Sequence, residues 1–116
     1  MREPIKDLGR ITHMLEMAEM LNSEKELCSL DRIKAEKLYF YGLSKMVEII
    51  GEAAYMITKE YKHAHPQIPW RQIEGMRHIL VHGYYTVSPE VLYDVVQNDI
   101  PLLIPMLRKY RKEFEL

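Results

Sequence analysis

Apolar side chains recur every three or four positions along the first part of the chain. They form one stripe, made of Ile5, Leu8, Ile11, Leu15 and Ala18 and widened by Met14, Met17 and Leu21. This spacing places them on one face of an α-helix. We therefore predict a first helix from Ile5 to about Leu21, followed by a polar break from Asn22 to Glu26.

A second, longer apolar seam alternates steps of three and four over three heptads: Phe40, Leu43, Val47, Ile50, Ala54, Ile57 and Tyr61. A parallel stripe lies beside it, so this helix is apolar over more than half of its circumference and should be the central helix of the fold. It is predicted to begin near Ser29 or Asp31, either of which can cap it. Pro66 and Pro69 end it, because proline forces its predecessor out of helical geometry.

Two further helices follow. The third is predicted from Trp70 to His82 and stops at Gly83, since a residue free to take positive φ often follows a helix end. The fourth begins at Ser88-Pro89, a hydroxyl cap followed by a proline in the first turn. Pro101 and Pro105 then predict either a bend near Asp99 or two consecutive helices.

No strand alternation, internal repeat or low-complexity segment is evident. Short links between amphipathic helices predict an all-α fold, an antiparallel bundle of four to five helices. The 116 residues fit a single domain, residues 1–116.

Composition narrows the class of protein. A hydrophobic content of 47% argues against disorder, and a net charge of -1 excludes a globally basic surface, so any contact with a polyanion must be local. The single Cys28 permits no intrachain disulfide. The start lacks an apolar signal core and the longest apolar run, Ile100 to Leu107, is too short to span a bilayer, so we expect a cytoplasmic protein without a membrane contact.

The stretch from Arg77 to Tyr85 carries the candidate chemistry. Arginine offers a planar donor fork for phosphate, and histidine exchanges a proton near neutral pH. On a regular helix Arg77 and His82 point about 140° apart. Either the helix loosens before Gly83, or both side chains lean into a groove, for which a groove on a two-fold dimer axis would suffice. The alternatives are that His82 merely caps its helix and that Arg77 pairs with Glu52 or Glu74.

Other candidate sites are weaker. His78 and His82 are four residues apart, a spacing suited to a metal, but Ile79 stands where a zinc-protease glutamate would be and the reach of His63 and His65 is open. The aromatic run Tyr39 to Tyr41 is better explained by core packing than by base stacking. The basic cluster near the C-terminus, Arg108, Lys109, Arg111 and Lys112, is interpreted as a solvated helix end that could add a few phosphate contacts.

Three features in order resemble the HepT-like ribonuclease toxins of the HEPN superfamily. They are Ile50-Gly51-Glu52-Ala53-Ala54, then His65-Pro66 with Ile68-Pro69-Trp70, then Met76-Arg77 to His82-Gly83-Tyr84. Val87, Val91 and the restart at Asp99-Ile100-Pro101 extend the resemblance over roughly residues 5 to 110.

The resemblance implies a HEPN-like, homodimeric helical bundle in which Arg77 and His82 of both subunits face one cleft. It implies a metal-independent endoribonuclease without a cofactor, the toxin of a type VII toxin–antitoxin pair acting on RNA. His82 would move the proton of the ribose 2′-hydroxyl or of the departing 5′-oxygen, and Arg77 would stabilise the phosphate. Its partner would be an MntA-like minimal nucleotidyltransferase that inhibits it by AMPylation of Tyr84.

Two supporting residues complete the expected site. His78 stands where the family commonly has asparagine, which could alter phosphate orientation or the pH optimum. Glu52 belongs to a family motif, and a buried ion pair with Arg77 is favoured over a dedicated role in orienting it. Two other classes stay open: a non-catalytic nucleotide-binding or substrate-binding subunit of a minimal nucleotidyltransferase, and a metal-binding helical protein.

Overall fold

The computed structural model describes residues 2–83 and 87–115, with side chains from residue 6 onward. The regular secondary structure of this part of the chain is all helical, with no strand. Its α-helices are α1 (Arg2–Ser23), α2 (Leu30–Ala35), α3 (Lys37–Met56), α4 (Lys59–Ala64), α5 (Trp70–His82), α6 (Pro89–Asp94) and α7 (Ile100–Glu113), and a π-helical turn, Val95–Asp99, joins the last two. The all-α prediction is confirmed.

The long helices run antiparallel. Arg10 near the start of α1 donates to the carbonyl of Met56 at the end of α3, at 2.6 Å. The end of α7 returns to α4, where Phe114 stacks on Tyr61 with ring centroids 5.6 Å apart. Because Asp7 of α1 also contacts the start of α4, α7 runs back along α1.

The predicted central helix is interrupted twice, so the prediction of one helix to Tyr61 is wrong. At Glu36 the backbone is extended (φ −110, ψ 100), which separates α2 from α3. Leu38, two residues later, is 90% exposed, so its side chain makes no core contact that would favour one continuous helix. The second break follows Met56. Buried Asp7 accepts from the backbone N–H of Thr58 at 3.0 Å and from its hydroxyl at 2.7 Å. This tertiary contact holds Thr58, whose hydroxyl accepts from the backbone N–H of Tyr61 and so caps α4.

The predicted helix starts are confirmed. The Ser29 hydroxyl accepts from the backbone N–H of Arg32, and the Ser88 hydroxyl accepts from that of Val91. With these breaks the described chain has seven α-helical segments rather than four or five helices. The longer segments still form the expected bundle of α1, α3, α5 and the α6–α7 unit.

The predicted irregularity near Asp99 is the π-helical turn. Pro101 has no N–H to donate to Gln97, and its ring crowds the preceding turn, so the Ile100 N–H instead reaches Val95. The Gln97 side chain donates to the carbonyls of Lys25 and Cys28 at 2.8 and 3.2 Å. The turn is thereby fixed to the link between α1 and α2.

The core lies between α1, α3 and α7. Its fully buried side chains include Ile11, Met14, Leu21, Ile33, Ile68, Leu92, Val96 and Leu107. α5 packs on the outer face of α3 and buries only Trp70 and Leu80. No helix in the described part of the chain is long and apolar enough to cross a membrane.

Candidate functional site

The position of α5 is set by a glycine on α3. A Cβ added to Gly51 would overlap the Cβ of Arg77 and lie 3.0 Å from the carbonyl oxygen of Ile73. Only a residue without a side chain therefore lets the two helices approach this closely. At its other end α5 is anchored by Trp70, whose indole donates to the carbonyl of His65 at 2.9 Å.

Arg77 is held on the α3 side of α5. Its Nε donates to Oε2 of Glu52 at 2.5 Å, and its guanidinium lies over the ring of Tyr55, 4.6 Å from the centroid. Among the described residues, no hydrogen bond is made by its two terminal nitrogens, and the side chain is 21% exposed. Arg77 thus presents a preoriented pair of donors, the geometry suited to a phosphate.

Glu52 has the predicted partner but not the predicted burial. It pairs with Arg77, whereas Glu74, the other candidate, pairs with Lys62 at 2.9 Å. The Glu52 side chain is 51% exposed, so the expectation of a buried pair is wrong. Its carboxylate pairs with Arg77 while remaining in contact with solvent.

His78 and His82 lie together on another face of α5. Their ring centroids are 4.7 Å apart and both residues are exposed. The helix does not loosen before Gly83, whose N–H donates to the carbonyl of Ile79 at 2.7 Å. Val81 lines the Arg77 side, and His82 is one residue, or about 100°, further around the helix. Within one subunit, Arg77 and His82 therefore point in different directions.

Gly83 ends α5 as predicted, but without a positive φ. Its backbone (φ −133, ψ 37) is accessible to other residues, so the stop does not depend on glycine's conformational freedom. Tyr84 and Tyr85 lie outside the described residues, so the predicted modification site has no structural description.

Of the other three histidines, His65 is packed, whereas His13 and His63 are exposed. His65 stacks on Tyr61 at 3.9 Å, and its Nε2 lies 3.1 Å from a carboxylate oxygen of Glu113. His63 is exposed on α4. Within the ranges that the structure describes, no three histidine, cysteine, aspartate or glutamate side chains are grouped so that they could hold a metal ion.

The other sequence candidates have structural roles. Tyr39 and Phe40 pack partly buried against the core, as predicted, whereas Tyr41 is half exposed. In the basic cluster, Arg108 pairs with Glu19 of α1 at 2.8 Å, on a different side of the bundle from α5.

A groove of about 530 Å³ lies between α1, α3 and α5 and includes Arg77. The sequence motif singled out Arg77 as a candidate, but it did not indicate the α1 residues that line the same groove, Arg10 and His13. They belong to the polar flank of the first helix, and nothing in the local pattern distinguishes them from ordinary surface residues.

The class that these features define is an all-helical domain that presents an arginine and exposed histidines on one helix. The profile of the ribonuclease HepT-like family matches residues 3–110. The chain belongs to this family.

Similar proteins carry related names. A protein of Thermococcus cleftensis named "Probable ribonuclease HepT" is 37% identical over 113 residues, which cover 97% of this chain and 100% of that protein. "Putative RNase MJ1380" of Methanocaldococcus jannaschii is 32% identical over 80 residues, covering 69% and 67% of the two chains. No solved structure gives a significant match. The family and these names support a nuclease.

Proposed function

We propose that this protein is a metal-independent endoribonuclease, the toxin of a type VII toxin–antitoxin pair, with Arg77 and His82 as its catalytic residues. The observation that supports this best is the state of Arg77. Its guanidinium is oriented by Glu52 and Tyr55, and none of the described residues accepts a hydrogen bond from its two terminal nitrogens. Such a fork can bind a phosphodiester and stabilise the charge that develops on it.

The reaction proceeds by attack of the ribose 2′-hydroxyl on the adjacent phosphorus. One histidine accepts the 2′-hydroxyl proton as the new P–O bond forms, and a second donates a proton to the 5′-oxygen as the old bond breaks. The products are a 2′,3′-cyclic phosphate and a free 5′-hydroxyl. Neither step requires a metal ion, because the arginine carries the positive charge.

A homodimer supplies the second histidine. Arg77 and His82 diverge on α5, so one subunit does not direct both at the same phosphate. Ile79, three residues before His82 and therefore on its side of the helix, is 45% exposed. An exposed apolar side chain beside the two histidines suits burial against a second copy, and pairing α5 with its symmetry mate would join the two motifs.

Control of the toxin is assigned to Tyr84, two residues after His82. An MntA-like nucleotidyltransferase partner would transfer AMP from ATP to the phenol and release pyrophosphate. The added phosphate brings negative charge and bulk next to the RNA site, which opposes binding of another phosphate. Glu52 keeps Arg77 in place in this scheme, and His78 contacts the ring of His82.

A cleavage assay with a defined single-stranded RNA tests the proposal. Cleavage should proceed in excess EDTA, and mass spectrometry should show 2′,3′-cyclic phosphate ends. Incubation with the partner and ATP should add AMP to the wild type and none to Tyr84→Phe. A requirement for added metal contradicts the metal-independent mechanism.

Expression in cells distinguishes the alternative of a non-catalytic nucleotide-binding or substrate-binding subunit. The proposed toxin should arrest growth when its partner is absent. A protein that is harmless and leaves RNA intact, yet binds nucleotide, would instead be such a binding subunit.

A further inference from the structure

The groove between α1, α3 and α5 brings together basic side chains from all three helices. Arg10 and His13 come from α1, Lys45 from α3 and Arg77 from α5. Two carboxylates, Glu48 and Glu52, also line it and pair with Lys45 and Arg77, so among the lining residues Arg10 is the fixed cation in excess before His13 is counted. In a chain with a net charge of -1, this is a local surface of the sign that a polyanion requires.

Arg10 is fixed in place at the end of this groove. Its Nη1 donates to the carbonyl of Met56 at 2.6 Å, a backbone acceptor left open where α3 ends. One of five guanidinium donors is thus used, and none of the described residues accepts from the others. Holding the arginine in advance reduces the entropy lost when it binds an anion.

His13 is exposed one turn further along α1, three residues after Arg10. Residues three apart lie on the same side of a helix, so both side chains serve the same groove. Its ring makes no hydrogen bond or ring contact with any of the described residues. A histidine with both nitrogens available and no packing function is free to contact a ligand.

We propose that this groove is a second phosphate subsite, with Arg10 and His13 binding the RNA backbone next to the phosphate held by Arg77. The inference rests on the proposed function, because it names where the flanking part of that substrate lies. A volume of about 530 Å³ is within the usual range of small-molecule sites, which suits one nucleotide unit. The subsite would hold the strand in register while α5 acts on it.

Binding of a 2′-O-methyl RNA, followed by fluorescence anisotropy, tests this subsite without cleavage. His13→Ala should weaken binding by about tenfold, the effect of losing one charge-assisted contact. The matched control is His63→Ala, which removes an equally exposed histidine from α4 and should bind like the wild type. Both variants should melt like the wild type, since neither side chain is packed.

A second pair of variants separates location from overall charge. Arg10→Gln removes the fixed cation of the proposed subsite, and Lys109→Gln removes a cation from the basic end of α7. Only the former should lower the slope of log affinity against log salt, by about 0.7 for one phosphate contact on single-stranded RNA. An equal loss in both variants overturns the subsite and indicates diffuse attraction instead.

The binding and cleavage results are independent. If the wild type binds the methylated RNA and His13→Ala is weaker, the subsite stands even when natural RNA is not cleaved, and only the nuclease assignment fails. If His13→Ala binds like His63→Ala while the wild type cleaves RNA, the nuclease stands and the subsite is rejected. A wild type that does not bind the RNA overturns the subsite as well.

Discussion

Two ring contacts that involve histidine, one before α5 and one near its end, show how the surroundings of a histidine decide whether it serves packing or chemistry. Before α5, His65 is stacked on Tyr61 and bonded to Glu113, with both ring nitrogens engaged. At the end of α5, His78 and His82 are exposed and contact each other. A histidine with every nitrogen satisfied is a packing element, whereas an exposed one can exchange a proton with a substrate.

The largest expected effect concerns the two kinds of histidine. His82→Ala should lower kcat for RNA cleavage by about 10²–10⁴, the usual contribution of a general acid or base, and should not lower the melting temperature. His65→Ala should leave kcat nearly unchanged in protein that remains folded. Single-turnover cleavage together with thermal melts measures both. Equal losses of kcat in the two variants would abolish the distinction.

The close approach of α3 and α5 gives the next largest effect. Gly51→Ala should destabilise the protein by about 1–3 kcal/mol, the usual result of overpacking, because the new methyl overlaps the Arg77 side chain. Gly75→Ala is the matched control, since a Cβ there meets nothing within 4 Å, and it should stabilise the helix by about 0.5–1 kcal/mol. Urea denaturation measures both. If Gly51→Ala stabilised the protein as Gly75→Ala does, the packing of α5 on α3 would not depend on Gly51.

His65 itself should carry measurable stability. His65→Ala removes a stacked ring and a hydrogen bond to α7, and we expect a loss of about 1–2 kcal/mol. His63→Ala, on the exposed side of α4, should be neutral. Chemical denaturation of the two variants compares them directly, and a neutral His65→Ala would remove the packing half of the comparison.

The pair between Glu52 and Arg77 should matter more for catalysis than for stability. Glu52→Gln keeps an acceptor for Nε but removes the charge, so kcat/KM should fall by about fivefold to tenfold, or roughly 1 kcal/mol, while an exposed pair contributes little to folding. Glu60→Gln, which alters an exposed carboxylate of α4 outside the groove, serves as the control. A drop in melting temperature without a change in kcat/KM would assign Glu52 a structural role only.

The smallest effect is expected at His78. His78→Asn introduces the residue expected after the motif arginine from the family resemblance. An exposed side chain that does not itself transfer the proton should change kcat by no more than about threefold, well below the contribution of a general acid or base. Initial cleavage rates at several pH values provide the measurement. A loss as large as that of His82→Ala would place His78 among the catalytic residues.

Sequence periodicity predicted most of the fold but not its interruptions. The stripe of α1, the caps at Ser29 and Ser88 and the irregularity before Ile100 are local patterns, and all are present. The break between α3 and α4 was not predicted because the carboxylate that stabilises it belongs to Asp7, 51 residues earlier. The apolar spacing continues through Ile57 even though the helix itself ends at Met56, so the spacing did not reveal the break.

The candidate site was predicted only in part, because some of its contacts also join residues that are far apart in the chain. The pairing of Arg77 with Glu52 follows from residue types that the motif supplies, but the burial of that pair was wrong, since exposure depends on which helix covers α3. Arg10 and His13 could not have been identified from their neighbours in the chain. Only the packing of α1 across α3 brings them to the groove that holds Arg77.

The sequence alone determined the all-helical class, the positions of most helix ends and the order of the arginine, histidine and tyrosine motif, because these follow from spacing and local backbone chemistry. The tertiary structure decided how closely α3 and α5 approach, which way Arg77 points and which histidine is packed against aromatic neighbours. Those properties depend on contacts between residues far apart in the chain, such as Gly51 with Arg77 and His65 with Glu113. The spacing of residues along the chain does not specify such contacts, because they form only when the helices pack together.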